Sequence, residues 1–152
     1  MTRAQTGHQN GSDPFARFAA EGKIDDEPVE VQLLDRTGEP YVNKDGSPLT
    51  VTVVGKFSTQ YKLAERKLID RVFKQSRRGV TPDAEDAEAR HVERIAGACV
   101  GWTLENAEDG KPVPFTPQNV QRFLTIASWV APQLEQAIEA HERFFVRSST
   151  SS

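Results

Sequence analysis

The residues able to do acid–base, nucleophilic or metal chemistry are few and scattered. There are three histidines, His8, His91 and His141, and one cysteine, Cys99. Zinc takes four protein ligands, or three with an open position where it is catalytic. Neither His91 nor His141 has a second His or Cys at ligand spacing. Glu88 and His91 share a helix face and would make half a site, but a buried or interfacial helix histidine is the favoured reading. Cys99 lies between Ala98 and Val100, a place for a small core residue. A nucleophilic thiol needs a base and an electropositive pocket beside it. Gly97, Gly101 and Gly110 form no glycine-rich phosphate turn after a strand. The carboxylates fall in charge runs, as on a solvated helix face. The pattern points away from an enzyme, and no cofactor or metal site is expected.

The elements that would position these residues read as follows. Residues 1–28 are polar and broken by Gly11, Ser12, Asp13 and Pro14, so a mobile N-terminal arm is expected, with Phe15, Phe18 and Ala19 as the apolar edge of a short helix. Val29, Val31 and Leu33 alternate with polar residues, as do Leu49, Val51 and Val53, which predicts two strands joined by a long turn-rich segment. Ser58 is placed to cap a helix running to Arg78, with Gly79 as its stop. Tyr61, Ala64, Leu68 and Val72 give that helix one apolar stripe. Thr81-Pro82 reads as the start of a second helix, whose spacing (Ala84, Ala87, His91, Ile95, Ala98, Trp102) predicts that it runs through Trp102. Its small residues, Ala96, Gly97, Ala98 and Gly101, suit close approach of another backbone. Thr116-Pro117 repeats the helix start, and Pro132 begins a last helix with Leu134, Ala137, Ile138, His141 and Phe145 inward. The expected fold is α+β, mostly α: an N-terminal β-hairpin (29–55) and a bundle of about four helices (56–147). Together they form one domain over 29–147, followed by a disordered Ser/Thr tail at 148–152.

A chain of 152 residues fits a single domain with its own core. One cysteine allows no disulfide within a monomer, which is compatible with a reducing compartment. There is no run of 18 apolar residues, and the N-terminus lacks the apolar stretch of a secretion signal. A net charge of −3 is too mild to imply a partner, but its distribution is informative. Lys56–Val80 holds eight basic residues against Glu65 and Asp70, and Thr81–Gly110 holds eight acidic residues against Arg90 and Arg94. The simplest reading is that the two segments lie side by side and cancel. The basic helix has no helix-turn-helix or other nucleic-acid signature, and its acidic neighbour would shield it, so nucleic-acid binding is not favoured.

Aromatic residues concentrate late in the chain, at Trp102, Phe115, Phe123, Trp129, Phe144 and Phe145. Most build a core. Phe144 and Phe145 are adjacent on a helix and so point about 100° apart, which leaves one free to meet a partner.

The stretch from Trp102 through Asp109-Gly110 and Pro112-Val113-Pro114-Phe115 to Thr116-Pro117-Gln118-Asn119 resembles the central signature of the tail assembly chaperones of long-tailed bacteriophages. The entry from Leu49–Gly55 to Ser58 and Tyr61, the basic helix followed by an acidic one, and the ending Trp129-Val130-Ala131-Pro132 and Arg143-Phe144-Phe145 are similar to that family's order. Gln118 stands where an acid is expected. The likeness spans roughly residues 29–146. It implies a chaperone that binds the tape measure protein, keeps it soluble and helps recruit tail tube protein. It also implies residence in the host cell cytoplasm and absence from the mature virion. Trp102, Phe115, Phe144 and Phe145 are the candidate partner-binding residues. The oppositely charged segments would also allow self-association. A structural virion component, such as a head–tail connector or tail protein, is the alternative, and a DNA-binding regulator a more distant one.

Overall fold

The computed structural model describes residues 13–81 and 83–143. The fold is α+β and mostly α. Three short strands, β1 (Val29–Gln32), β2 (Thr50–Val53) and β3 (Cys99–Trp102), form one antiparallel sheet in the order β1-β2-β3. Helix α1 (Ala16–Lys23) and a 3-10 turn (Ile24–Asp26) precede the sheet. Helices α2 (Thr59–Arg77) and α3 (Ala84–Gly97) separate β2 from β3, and α4 (Pro117–Ile126) and α5 (Ala131–Glu139) follow.

β1 and β2 pair with Val29 opposite Val53 and Val31 opposite Val51. This register puts the alternating valines of both strands on one face, where they are buried with Leu33, Ile95, Leu124, Leu134 and Ile138. Helix α5 packs on that face, while α3 sits between α2 and α4 and also touches α5. Two strands alone are marginal in water. The sheet gains its third strand from a segment predicted to be the end of a helix.

That segment is the main correction to the sequence reading. α3 stops at Gly97, Ala98 caps it by donating to Ile95 O, and the chain turns into β3. β3 pairs with β2 through Val51–Trp102 and Thr52–Gly101, with an irregularity before Val53–Cys99. Continued helix would have left the backbone groups along that edge of β2 without partners, a cost that outweighs the helical spacing of Ile95, Ala98 and Trp102. A second correction concerns the start of α3. The cap is Asp83, two residues beyond Thr81, and it forms a reciprocal capping box with Asp86. The predicted starts of α2 and α4 hold: Ser58 accepts from Tyr61 N–H and Thr116 from Asn119 N–H.

The boundary read at residue 28 shifts toward the N-terminus. Asp25 is 5% exposed, and its backbone carbonyl accepts from Gly55 N–H at 2.8 Å. Its carboxylate accepts from Phe57 N–H at 2.9 Å. Asp26 accepts from Thr59 N–H at 2.8 Å in the first turn of α2. A Cβ at position 55 would collide with the Asp25 carboxylate, so a glycine must stand there. His141 is fully buried, with Nε2 2.6 Å from the Glu27 carbonyl. A carbonyl oxygen only accepts, so Nε2 carries the proton. The opposite ring nitrogen lies 3.6 Å from the Asp25 carboxylate. Residues 25–27 are thereby pinned between the entry to α2 and the residues after α5. By contrast, no residue of α1 is buried. Phe144, Phe145 and the tail at 148–152 lie outside the described residues.

Candidate interaction surface between α2 and α4

The groove that could take a partner is made by the way α2 meets α3. Ala64 of α2 and Gly97 of α3 face each other so closely that a Cβ on Gly97 would lie 2.5 Å from the Ala64 Cβ. Of the two glycines among the small residues there, Gly97 serves this close approach, and Ala98 is fully buried in the core. Gly101, with nothing within 4 Å of its Cβ position, lies in β3 opposite Thr52. Beside this contact α2 faces α4 across a cavity of about 280 Å³. Ala64, Leu68, Gly97, Phe115 and Val120 line it, with Lys67, Arg71 and Gln121 around it.

Phe115 is 39% exposed and forms one wall. Behind it stands Trp102, whose ring meets Phe115 edge-on at 5.3 Å and Phe123 edge-on at 5.8 Å. Such edge-to-face pairs contribute about 0.5–1.5 kcal/mol each beyond their burial. Trp102 Nε1 donates to the Val113 carbonyl at 2.8 Å, which fixes both the indole and the Pro-rich segment carrying Phe115. That segment is held at its base by the Asp109-Gly110 turn, where Gly110 has φ 71°. Above it, Asn119 donates its side-chain amide to the Pro114 carbonyl at 2.9 Å. Of the four residues predicted to bind a partner, Phe115 reaches the groove and Trp102 supports it. Phe144 and Phe145 fall outside the described residues.

The opposite charges of α2 and α3 do lie side by side. Arg71 and Glu93 form a two-pronged pair at 2.8 and 2.7 Å at the edge of the groove. Arg94 and Glu65 approach to 3.9 Å with the signs exchanged. Exposed pairs of this kind contribute at most about 1 kcal/mol, so they orient the helices more than they hold them.

Of the residues weighed for chemistry, His8 lies outside the described residues. Cys99 is buried, its thiol donates to the Ile95 carbonyl at 3.4 Å, and burial pushes its pKa up to about 12. His91 is partly exposed and lies 3.5 Å from the Glu135 carboxylate. Among the described residues, no three His, Cys, Asp or Glu side chains are grouped to hold a metal, and no helix is long and apolar enough to cross a membrane.

Sequence reasoning missed two residues. Ile69 and Phe73 lie off the apolar stripe of α2 and are 50% and 61% exposed. The available signal was their position: they sit four residues apart among basic side chains, where the stripe facing the core cannot reach them. Compared with the models of known protein families, with curated proteins and with solved structures, the chain matches none.

Proposed function

We propose that this chain is a non-catalytic holding protein that binds an amphipathic helix of a partner, and that it acts as a tail assembly chaperone for a phage tape measure protein. The observation that carries the reading is the groove between α2 and α4, with an aromatic wall at Phe115 and a floor made shallow by Ala64 and Gly97. Its volume suits the apolar side chains projecting from about one helical turn, the helix-in-groove mode of recognition. Lys67 at the rim favours a helix with an acidic residue beside its apolar stripe. The resemblance running from Trp102 to Asn119 falls on the segment that builds the Phe115 wall, and this supports naming the partner as the tape measure protein. Recruitment of tail tube protein belongs to the same proposal, as do residence in the host cytoplasm and absence from the finished virion.

The test is co-expression with the tape measure protein encoded nearest to this gene, scoring its solubility and co-purification. The expected result is a soluble complex with the parent chain. Phe115→Ala should lower the recovered complex at least tenfold while the variant itself stays folded by circular dichroism. Trp102→Ala removes the support and should lower stability by about 3 kcal/mol or more. If the tape measure protein remains insoluble with the parent chain, the chaperone reading fails. If purified virions contain the chain in stoichiometric amount, it is a structural component instead.

A further inference from the structure

A second surface of the molecule is independent of the groove. Lys62, Arg66, Ile69, Phe73 and Arg77 recur along α2 at spacings of four, three, four and four residues, so they form one stripe, and all five are exposed. Beside Ile69 and Phe73 is a recess of about 250 Å³ into which Arg90 and Arg94 of α3 also project. The surface is therefore an apolar ridge, two large side chains long, in a mainly basic surround: Lys62, Arg66, Arg77, Arg90 and Arg94 outnumber Asp70 and Glu65, the latter 3.9 Å from Arg94. On the other side of α3 the arrangement is inverted. Glu85, Glu88, Ala89 and Val92 of α3 meet Leu124 and Thr125 of α4 around a cavity of about 420 Å³. That cavity has an apolar floor and an acidic rim. The cause lies in the sequence of α3. Glu85 and Glu88 face α4, Asp86 and Glu93 lie toward Arg71 of α2, and Arg90 and Arg94 line the recess beside Ile69 and Phe73.

We infer that the ridge of one copy docks into the acidic groove of a second copy, so that the chain associates head to tail. Charge and shape both support this occupant. The ridge presents apolar side chains among mostly positive charge, and the groove presents apolar residues with Glu85 and Glu88 beside them. Opposite potentials across an interface steer the encounter and fix its register. The two surfaces lie on opposite sides of α3, so one copy cannot satisfy itself. A symmetric contact of α2 with α2 would set the two basic stripes against each other, and like charges oppose it. Nucleic acid would use the basic residues but leave Ile69 and Phe73 without an apolar counterpart. Each copy carries one ridge and one groove, a heterologous contact that extends into an open chain or closes into a ring.

The experiment uses the full chain and two variants. Phe73→Glu blocks the ridge. Glu85→Lys with Glu88→Lys blocks the groove. All three positions are exposed, so thermal melts should stay within a few degrees of the parent. Sedimentation velocity of the parent should show mass growing with protein concentration and falling back as salt is raised. Each variant alone should be monomeric at concentrations at least tenfold above those where the parent associates. Mixed, the two variants should form a one-to-one dimer and nothing larger, because each supplies the surface that the other lacks. A parent that stays monomeric, or variants that fail to pair when mixed, would overturn the inference. So would a parent that binds a duplex DNA probe with an affinity abolished by Phe73→Glu, since the ridge would then face nucleic acid. Phe115 lies outside both surfaces, so loss of partner binding in its variant leaves this result unaffected.

Discussion

Replacing Gly97 by alanine should destabilise the protein, although helix propensity favours the change. Alanine gains up to about 1 kcal/mol over glycine in a helix interior, and less at the last residue of a helix, where Gly97 sits. Its φ is not in the left-handed region, so alanine meets no backbone strain there. What opposes it is a single atom, the Ala64 Cβ, 2.5 Å from the new methyl group. Carbon atoms rest about 3.5–4.0 Å apart, so α2 must retreat by roughly 1 Å or more. Forcing extra carbon into a packed contact costs about 1–3 kcal/mol. The net expectation is a loss of about 1 kcal/mol. The decisive experiment is the double variant. Ala64→Gly removes the one atom from outside α3 that lies within 4 Å of the added Cβ among the described residues. In the double variant the clash is gone, and what remains is the propensity lost at position 64, inside α2, only partly offset by the gain at position 97 at the end of α3, so the loss should be clearly smaller than the sum of the two single losses. Urea unfolding of the four proteins with a common m-value gives the coupling, expected at about 1–3 kcal/mol in favour of the double variant. If Gly97→Ala alone is as stable as the parent, or if the two changes simply add, the close approach of α2 to α3 does not set the helix position. The account of the groove beside it would then fall too.

Asp25→Ala should cost about 3 kcal/mol, because it leaves the Phe57 N–H without its acceptor and takes the carboxylate from beside the buried His141. Asp26→Ala, at an exposed position with one hydrogen bond to Thr59 N–H, should cost about 1 kcal/mol. Urea midpoints compare them, and equal losses would contradict the placement of Asp25 inside the folded body. The Cys99 thiol should resist alkylation in the native protein at pH 8, since burial raises its pKa to about 12 and keeps it protonated far above the usual thiol range. In denaturant the thiol regains its ordinary pKa and should react completely within minutes; rapid native labelling would place Cys99 at the surface.

Much of the local structure was legible because local chemistry determined it. Ser58 and Thr116 cap helices because their hydroxyls accept the first free N–H groups of α2 and α4, and nothing distant competes for them. Val29, Val31, Val51 and Val53 alternate because one face of each strand is buried, so the pairing of β1 with β2 is written in their period. The clustering of basic residues in α2 and acidic ones in α3 likewise implied adjacency, which Arg71 and Glu93 realise. Tertiary structure decided the rest. Cys99–Trp102 fits a helix by spacing and becomes a strand because β2 offers an edge that must be filled. Asp25 reads as part of a polar arm and becomes core because Gly55, Phe57 and His141, far along the chain, converge on it. Trp102 and Phe115 announced themselves as aromatics, but which of them reaches the groove follows from Trp102 lying edge-on between Phe115 and Phe123. Ile69 and Phe73 stay exposed because the approach of α2 to α3 at Ala64 and Gly97 turns a different side of the helix inward. Caps, turns and strand period depend on neighbours a few residues away and can be read along the chain. Edges, burial of a lone carboxylate and the choice of helix face depend on residues brought together only by folding.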